Sequence, residues 1–381
     1  MPWEDKTVEG LRKEFVLAAA ESKNISNLCR EFNISRKTGY KWINRYKTEN
    51  SVANHSKKPK QIGNKTSSEA EKKILELRKD NPGWGAATIH KVLENQGETK
   101  IPCSRTINNI LNRNGCISAE DSEQRKRYVR FQKEHCNEMW QTDFKGDFPM
   151  KDGKRCYPLD ILDDRSRYLI KIVPSASTKN IVIPSFEEAF SEYGMPRSVL
   201  SDNGGQFAGF RQGYTQFEKW LMDFDVLPIH GRAYHPQTQG KIERFHRTLN
   251  NELLRFNEFS DVTEANEKLQ AWRDKYNNIR PHEALDMFTP SDVYTKSPRR
   301  YTGIVKPYEY SGIYPVLKVN CKGYISFDRK RLYFSETMSG QYIEFRPNSH
   351  GDSFYACYRN FIIAEFDSFS GNKLNRYISR L

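Results

Sequence analysis

The sequence predicts a multidomain chain that has all-α modules at its N-terminus, a central α/β domain and a small all-β domain at its C-terminus. Apolar residues recur at helical spacing through most of the first 118 positions. Residues 137–298 alternate strand and helix patterns, and after residue 299 short β-prone runs are separated by turn residues. At 381 residues, the chain is also too long for one ordinary domain.

The composition favours a folded protein with a polyanionic partner. Hydrophobic residues make up 37% of the chain and aromatic residues 13%, which is enough to form buried cores and excludes a disordered chain. The formal net charge is +13, from 61 Lys and Arg against 48 Asp and Glu. Nucleic acid is the commonest partner for such a surplus. A basic soluble protein with no such partner is the alternative that charge alone leaves open.

The cysteines and the apolar pattern indicate where the protein works. The seven cysteines are scattered and never spaced C-x-x-C, which favours a reducing compartment and argues against a disulfide framework or a structural zinc site. The first residues are polar and acidic and do not resemble a signal peptide. No apolar stretch is long enough to span a bilayer. We therefore expect a cytoplasmic protein with no membrane partner.

The first 50 residues are predicted to form three short helices, of which the third is basic and aromatic. Ser26 and Ser35 are the predicted caps of the second and third helices, with a tight turn at residues 33–34 between these helices. A helix-turn-helix presents the start of its last helix to the major groove of DNA. The candidate DNA contacts on that helix are Arg36, Lys37, Tyr40 and Lys41. A plain three-helix bundle with a solvated basic face is the alternative, and Gly39 in mid-helix costs about 1 kcal/mol relative to Ala.

Residues 68–118 are predicted to form a second helix-turn-helix module, in which Ser104 caps the last helix. Its candidate DNA contacts are Arg105 and Arg113. The linker before it carries a basic run at residues 57–60 (KKPK), which either follows a DNA backbone or is simply solvated.

Three carboxylates lie in or next to the predicted strands and helices of the central α/β domain. Asp143 lies in a strand, Asp202 follows a short buried strand at 198–200, and Glu243 lies in the first turn of a later helix. This order of elements is ribonuclease H-like and would bring the three acids to one end of the sheet. Magnesium prefers oxygen ligands, and two such ions about 3.5 to 4 Å apart clamp the attacking and leaving oxygens of a phosphoryl transfer. The trio is therefore the candidate catalytic and metal-binding set.

Each acid taken alone has an ordinary explanation. An Asp at a strand end is usually a turn residue, and a Glu early in a helix interacts favourably with the helix dipole. Only the ordered trio with its flanking residues favours a metal site. Asp160, Asp163 and Asp164 are interpreted as strand and turn residues. No histidine is predicted to be a metal ligand, and His235 is a loop residue expected to touch DNA.

Four segments resemble one protein family. They are residues 28–42 (LCREFNISRKTGYKW), 140–146 (WQTDFKG), 201–207 (SDNGGQF) and 235–249 (HPQTQGKIERFHRTL). The last three look like the core of bacterial insertion-sequence DDE transposases of the retroviral integrase-like superfamily. The first resembles the helix-turn-helix of the same group. The resemblance spans about residues 8–300, and the three acidic blocks are specific only in combination.

The resemblance implies a DNA transposase, which is a polynucleotidyl transferase and DNA endonuclease. Such an enzyme binds the terminal repeats of an insertion sequence, cleaves the 3′ ends and joins them to target DNA. The resemblance implies that Asp143, Asp202 and Glu243 hold two Mg²⁺ or Mn²⁺ ions, and that the chain self-associates into a dimer or higher multimer on double-stranded DNA. Around these acids, the expected DNA contacts are Asn203, Gln206, His235, Lys241, Arg244 and Arg247.

The chain departs from the family pattern in two ways. The second and third acids are 41 positions apart (243 minus 202), which is more than the commonest spacing, and we place the extra residues in the loop at 209–215. Many relatives also carry a basic residue two helical turns after the glutamate, where this chain has Asn250. Arg247, Lys241 and Arg244 are the candidates to replace it.

The basic C-terminal part leaves two roles open, nonspecific DNA binding and protein contact during assembly. The predicted segments are a helix-turn-helix domain over 1–50, a basic linker over 51–67, a second helix-turn-helix domain over 68–118, a charged linker over 119–136, a ribonuclease H-like DDE catalytic (integrase core) domain over 137–298, and a small β-barrel or SH3-like domain over 299–381.

Two other classes of protein share parts of this pattern. A DNA-binding regulator would use the helix-turn-helix modules and would have no need for the carboxylate trio. A ribonuclease H-like nuclease that cuts without joining would have no need for two sequence-reading modules and a basic C-terminal domain.

Overall fold

The computed structural model describes residues 7–54, 66–117, 132–209, 213–231 and 240–381. The chain divides into two compact units, residues 1–65 and 66–381. The basic run at 57–60, most of the charged linker and the loop that holds His235 lie outside the described residues. None of the helices in the described ranges has the length and apolar character needed to cross a bilayer.

The first unit contains three helices around a small core. The helices are α1 (Val8–Glu21), α2 (Ile25–Glu31) and α3 (Arg36–Glu49). The buried core residues are Phe15, Val16, Leu28, Cys29 and Trp42. The α3 cap agrees with the sequence prediction, because Ser35 Oγ accepts a hydrogen bond from Thr38 N at 3.2 Å. The α2 cap does not: Asn24, whose Oδ1 accepts from the backbone N–H groups of Ser26 and Asn27, takes the place predicted for Ser26.

Gly39 lies buried where α3 packs against the other two helices of this unit. A Cβ atom at this position would lie 2.6 Å from Cys29 Sγ and 2.9 Å from Phe15 Cζ. Both of those side chains are fully buried and have little room to move. The glycine that weakens the helix is therefore what allows the three helices to approach so closely.

The second unit begins with another three-helix module. Its helices are α4 (Ser68–Asp80), α5 (Ala86–Asn95) and α6 (Ser104–Arg113). Its buried core residues are Ile74, Trp84, Ile89, Val92, Leu93, Ile107, Ile110 and Leu111. Ser104 was predicted to cap α6 but is its first helical residue. Cys103 occupies the cap position with an extended backbone and makes no capping hydrogen bond through its side chain.

The central domain is built on a five-stranded mixed sheet. The strands of this domain are β1 (Trp140–Phe144), β2 (Phe148–Pro149), β3 (Arg155–Cys156), β4 (Leu159–Asp163), β5 (Leu169–Val173), β6 (Ser198–Ser201) and β7 (Leu227–His230). Of these, β2 and β3 form a separate small hairpin, and the other five form the sheet. The sheet order is β5-β4-β1-β6-β7. β4 is antiparallel to both of its neighbours, β5 and β1, whereas β6 runs parallel to β1 and β7 runs parallel to β6.

Helices cover both faces of this sheet. They are α7 (Val182–Tyr193), α8 (Gln216–Asp223), α9 (Gly240–Glu252), α10 (Val262–Asn278) and the short α11 (Pro290–Val293). On one face, Phe186 of α7 shares a core with Trp140 of β1. On the other, Phe245 of α9 shares a core with Leu162 of β4. The predicted ribonuclease H-like α/β class is thereby confirmed.

The C-terminal part is all-β, as predicted. Its strands are β8 (Val316–Lys318), β9 (Tyr324–Phe327), β10 (Lys330–Tyr333), β11 (Tyr342–Pro347), β12 (Ser353–Tyr358), β13 (Phe361–Asp367) and β14 (Lys373–Arg380). They form a hairpin of β9 and β10 and a five-stranded antiparallel sheet in the order β14-β13-β12-β11-β8. Tyr214 and Met222 from the central domain lie in the same buried cluster as the C-terminal strands. The sheet thus shares its core with the central domain.

Candidate active site

Asp143 and Asp202 lie side by side at the C-terminal ends of two neighbouring strands in the interior of the central sheet. β1 and β6 are parallel neighbours, with Gln141 opposite Leu200. Continuing this register by two positions places Asp143 next to Asp202. The turn after β6 is held in place because Asp202 Oδ1 accepts a hydrogen bond from Gly204 N at 2.9 Å. The two carboxylates therefore leave adjacent strands at the same end.

Burial and the neighbouring Asp202 both raise the pKa of Asp143. Burial raises the pKa of Asp143 to about 6; the nearby His246 opposes the rise, and the negative charge of Asp202 adds to it. A partly buried acid beside a second acid is stabilised in its charged form by a cation. Because the donors are carboxylate oxygens, the pair fits a hard divalent ion.

Asp143→Asn should stabilise the metal-free protein at neutral pH. The pKa of Asp143 is about 6 in the folded chain, above the ordinary value of 3.8. Between these values the folded state binds more protons than the unfolded state, so stability falls as pH rises through about 6. The variant should gain on the order of 2 kcal/mol at pH 7 and little at pH 4, because it never carries the charge.

Urea unfolding in the presence of a chelator measures this gain at both pH values. Asp274→Asn, the same chemical change at an exposed position of α10, is the matched control. A gain for Asp143→Asn that is equal at pH 4 and pH 7 would contradict the electrostatic explanation.

Helix α9 is anchored beside the strand that carries Asp143. Its buried residues are Ile242, Phe245 and Leu249. His246 Nε2 hydrogen-bonds with Asp160 Oδ2 at 2.8 Å. Asp160 in turn lies opposite Asp143 in the antiparallel pairing of β4 with β1. Its second oxygen, Oδ1, is buried and has no hydrogen-bond partner among the described residues. The first two turns of α9 therefore lie beside the strand that carries Asp143.

Glu243 belongs to this part of α9 but is not gathered with the aspartates. It is exposed in the first turn of the helix. Within the described ranges, no three acidic, histidine or cysteine side chains are grouped so that they would hold a metal ion. The structure thus brings together two of the three acids that the sequence singles out, and the role of Glu243 stays a prediction.

Lys241 was predicted to touch DNA, but the structure places it in an internal ion pair. Its Nζ lies 2.5 Å from Oδ2 of Asp164, whose side chain is fully buried. Burial, together with the nearby charge of Arg167, lowers the pKa of Lys241 to about 8. Asp164 also accepts a hydrogen bond from Gln141 Nε2 at 2.7 Å. Lys241 therefore ties the start of α9 to the sheet, a role that helical spacing alone does not reveal.

The predicted DNA contacts of the two helix-turn-helix modules differ in their surroundings. All four candidates on α3, namely Arg36, Lys37, Tyr40 and Lys41, are exposed. Arg105, near the start of α6, is exposed as well. Arg113, at the end of α6, is ion-paired with Glu71 of α4. This pair links two helices of the module, so Arg113 has a structural partner that the sequence did not indicate.

The remaining predicted contacts at described positions lie on α9 and in the turn after β6. Arg244 and Arg247 are exposed on α9. Asn203 is exposed, and its Nδ2 donates to the Gly231 carbonyl at 3.0 Å. Gln206 is half-buried, and its amide lies close to Gly204. Asn203 and Gln206 therefore lie in the turn after Asp202, whereas the two arginines lie on the exposed side of α9.

Sequence reasoning missed a buried polar series next to Asp202. Ser201 Oγ hydrogen-bonds with His230 Nδ1 at 3.1 Å, and His230 Nε2 hydrogen-bonds with Glu218 Oε1 at 2.8 Å. The same Glu218 oxygen accepts from Arg376 Nη2 of β14 at 2.5 Å. These residues are far apart in the chain, and no spacing pattern connects them.

Comparison with known families agrees with this fold. Two models described as integrase core domain match residues 133–236 and 225–290. A helix-turn-helix domain model matches residues 11–60, and a homeodomain-like domain model matches residues 38–111. These matches define the class of the chain by its domains: an integrase core combined with helix-turn-helix and homeodomain-like domains.

Within that class, the chain is similar to proteins of bacterial insertion elements. It is 24% identical over 231 residues to the IS407 protein of Burkholderia multivorans, covering 59% of this chain and 80% of that protein. It is 27% identical over 156 residues to the IS476 protein of Xanthomonas euvesicatoria, covering 41% of this chain and 43% of that protein. Among solved structures, the magnesium complex of the HTLV-2 integrase catalytic core domain matches 42% of this chain and 97% of its own, at 16% identity and a TM-score of 0.32.

Proposed function

We propose that this chain is a DNA transposase that binds the terminal repeats of an insertion sequence, cleaves their 3′ ends and joins them to target DNA. The observation that carries the proposal is the juxtaposition of Asp143 and Asp202 at the ends of neighbouring parallel strands. It occurs in a chain that combines an integrase core with helix-turn-helix domains. A regulator would need only the helix-turn-helix domains, and a simple nuclease would need only the core.

The catalytic residues in this proposal are Asp143, Asp202 and Glu243. They would hold Mg²⁺ or Mn²⁺, two ions in all, which supply charge stabilisation for an in-line phosphoryl transfer. The chain itself positions the ligands. The β1–β6 register aligns the aspartates, and the His246–Asp160 hydrogen bond holds α9 beside them. No protein nucleophile is required.

DNA binding would use the exposed side chains of both kinds of domain. The start of α3 presents four exposed candidates, so this helix is the proposed reader of the terminal repeat. Arg244 and Arg247 extend the exposed face of α9 on which Glu243 lies, and they would hold the phosphate backbone near the catalytic residues. Pairing of two element ends before cutting would require a dimer or higher multimer.

The test uses the full chain and duplex oligonucleotides that copy the DNA on either side of its gene. With Mg²⁺, the protein should nick the 3′ end of the element sequence and join that end to a second duplex. Scrambled duplexes of the same composition are the control. Binding without nicking in Mg²⁺ and in Mn²⁺ would favour a regulator, and nicking without joining would favour a nuclease.

Affinity for the element end should fall steeply with salt. Each phosphate contact releases counterions, so a protein with about six such contacts loses about 1000-fold in affinity between 50 and 200 mM salt. Fluorescence anisotropy over that range gives the slope of log affinity against log salt. Replacing both Arg36 and Lys37 with Ala should reduce that slope by about two if both contact phosphates. A salt response that is flat would contradict the proposed phosphate contacts.

A further inference from the structure

A continuous series of hydrogen bonds joins the C-terminal sheet to Ser201, the residue that precedes Asp202 in the candidate active site. Arg376 of β14 donates to Glu218 Oε1 at 2.5 Å, and His230 Nε2 lies 2.8 Å from the same oxygen. His230 Nδ1 then lies 3.1 Å from Ser201 Oγ. Ser201 is the last residue of β6 and immediately precedes Asp202. The side chains of Glu218, His230 and Ser201 thus connect Arg376 to the residue that precedes the proposed metal ligand.

Glu218 is the centre of this series and is fully buried. Its Oε2 accepts hydrogen bonds from Thr215 N at 2.7 Å and from Gly209 N at 3.0 Å, while Oε1 faces His230 and Arg376. Removing the charged partner of a buried carboxylate leaves an uncompensated buried charge, which strongly destabilises the arrangement around it. Removing Arg376 would therefore leave His230 to satisfy Oε1 alone.

The backbone around Ser201 is also held by hydrogen bonds to the end of β7. Ser201 pairs with His230 in the parallel register of β6 with β7, and the Ser201 carbonyl accepts from Gly231 N at 3.0 Å. Asn203 Nδ2 donates to the Gly231 carbonyl at 3.0 Å. The residues on either side of Asp202 are therefore both tied to the end of β7, which carries His230.

We propose that Arg376 is a positioning residue, through which the docked C-terminal sheet fixes the end of β6 and thereby the place of Asp202. The inference rests on the proposed function, since it assigns Asp202 to the catalytic set. It gives the C-terminal sheet a role in catalysis that requires no contact with DNA. Arg376, Glu218 and His230 act through Ser201 and do not touch the reacting atoms.

The test compares two arginines of the same strand. Arg380 also lies on β14 and holds the central domain, with Nη1 2.9 Å from Asp225 Oδ1, but it has no contact with Glu218, His230 or Ser201 among the described hydrogen bonds. Arg376→Ala should weaken Mn²⁺ binding by the full chain about 10-fold, as loss of a group that orients a metal ligand does. Arg380→Ala should change Mn²⁺ binding by less than about 2-fold. Electron paramagnetic resonance measures free Mn²⁺ directly.

Catalysis and local exchange give two independent readouts. Arg376→Ala should lower kcat for end cleavage with little change in KM for DNA, and it should speed amide exchange at residues 198–204. Arg380→Ala should do neither. Equal effects of the two variants on Mn²⁺ binding and on exchange at 198–204 would overturn the proposal, because they would indicate general undocking of the sheet.

A double-mutant cycle with Ser201→Ala separates coupling from additive damage. If Arg376 acts through Ser201, then Arg376→Ala should weaken Mn²⁺ binding by less than about 2-fold in the Ser201→Ala background. A full 10-fold further loss in the double variant would overturn the proposal. If the wild-type chain neither cuts nor joins DNA, the proposed function fails, whereas Mn²⁺ binding and amide exchange still decide whether Arg376 positions this site.

Discussion

Glu243→Gln should abolish both end cleavage and joining while leaving the affinity for the element end nearly unchanged. The amide keeps the size of the side chain but lacks the negative charge that a hard divalent ion requires of its ligand. Loss of one member of a catalytic unit typically lowers the rate by about three orders of magnitude or more. Because Glu243 is exposed, the substitution should alter the stability of the fold by less than about 0.5 kcal/mol.

Single-turnover cleavage and joining assays, with anisotropy for binding, measure the two effects separately. Glu258→Gln is the matched control, since Glu258 is exposed and pairs only with Lys151 at the surface, at 3.2 Å, among the described ion pairs. If binding fell in parallel with catalysis, Glu243 would be a DNA contact. If cleavage persisted within 10-fold of the wild type, the acid would lie outside the catalytic set.

Gly39→Ala should disrupt the first helix-turn-helix and weaken binding to the element end. Alanine would improve helix propensity by about 1 kcal/mol in an exposed helix. Here the new Cβ would meet Cys29 Sγ at 2.6 Å and Phe15 Cζ at 2.9 Å, and overpacking of this kind costs about 1–3 kcal/mol, occasionally more. Because the unit is small and its core has five buried residues, we expect the clash to dominate.

Amide exchange across α1 to α3 should accelerate in the Gly39→Ala protein, and affinity for the element end should fall by about tenfold or more, which corresponds to about 1.4 kcal/mol. Gly10→Ala is the control within the same unit, since its Cβ would meet only Thr7 Oγ1, at 3.3 Å. A Gly39→Ala protein that is more stable than the wild type would show that the helices can separate at no cost.

The order of elements in the central domain could be predicted because it follows from local patterns. A buried β1 with an acid near its end, a short β6 directly before Asp202, and an amphipathic α9 with Glu243 in its first turn are all readable from spacing. The pairing of β1 with β6 then follows from the fold class. The orientation of Glu243 does not, because a carboxylate on an exposed turn keeps its hydration unless a cation offsets the repulsion of the two aspartates.

The roles of single polar residues were predicted less well, because they depend on partners that are distant in sequence. The DNA contact predicted for Lys241 stays a prediction, whereas its ion pair with Asp164, 77 positions away, was not foreseen. Asn24 caps α2 in place of Ser26, because the helix begins at Ile25 and Ser26 is already a helical residue. Gly39 was read only as a cost to the helix, since its contacts come from α1 and α2. Such pairings become visible only when the elements are packed.

Tyr214 lies in the loop that we predict to hold the extra residues between Asp202 and Glu243, and it packs against the C-terminal strands. Tyr214 in this loop is buried under the C-terminal strands and donates to the Ile363 carbonyl at 2.5 Å. Ser335 Oγ donates in return to the Tyr214 carbonyl at 3.2 Å. The seat of the C-terminal sheet on the central domain is therefore built partly from Tyr214, so a deletion that removed this residue would leave the Ile363 carbonyl and the Ser335 hydroxyl without these partners.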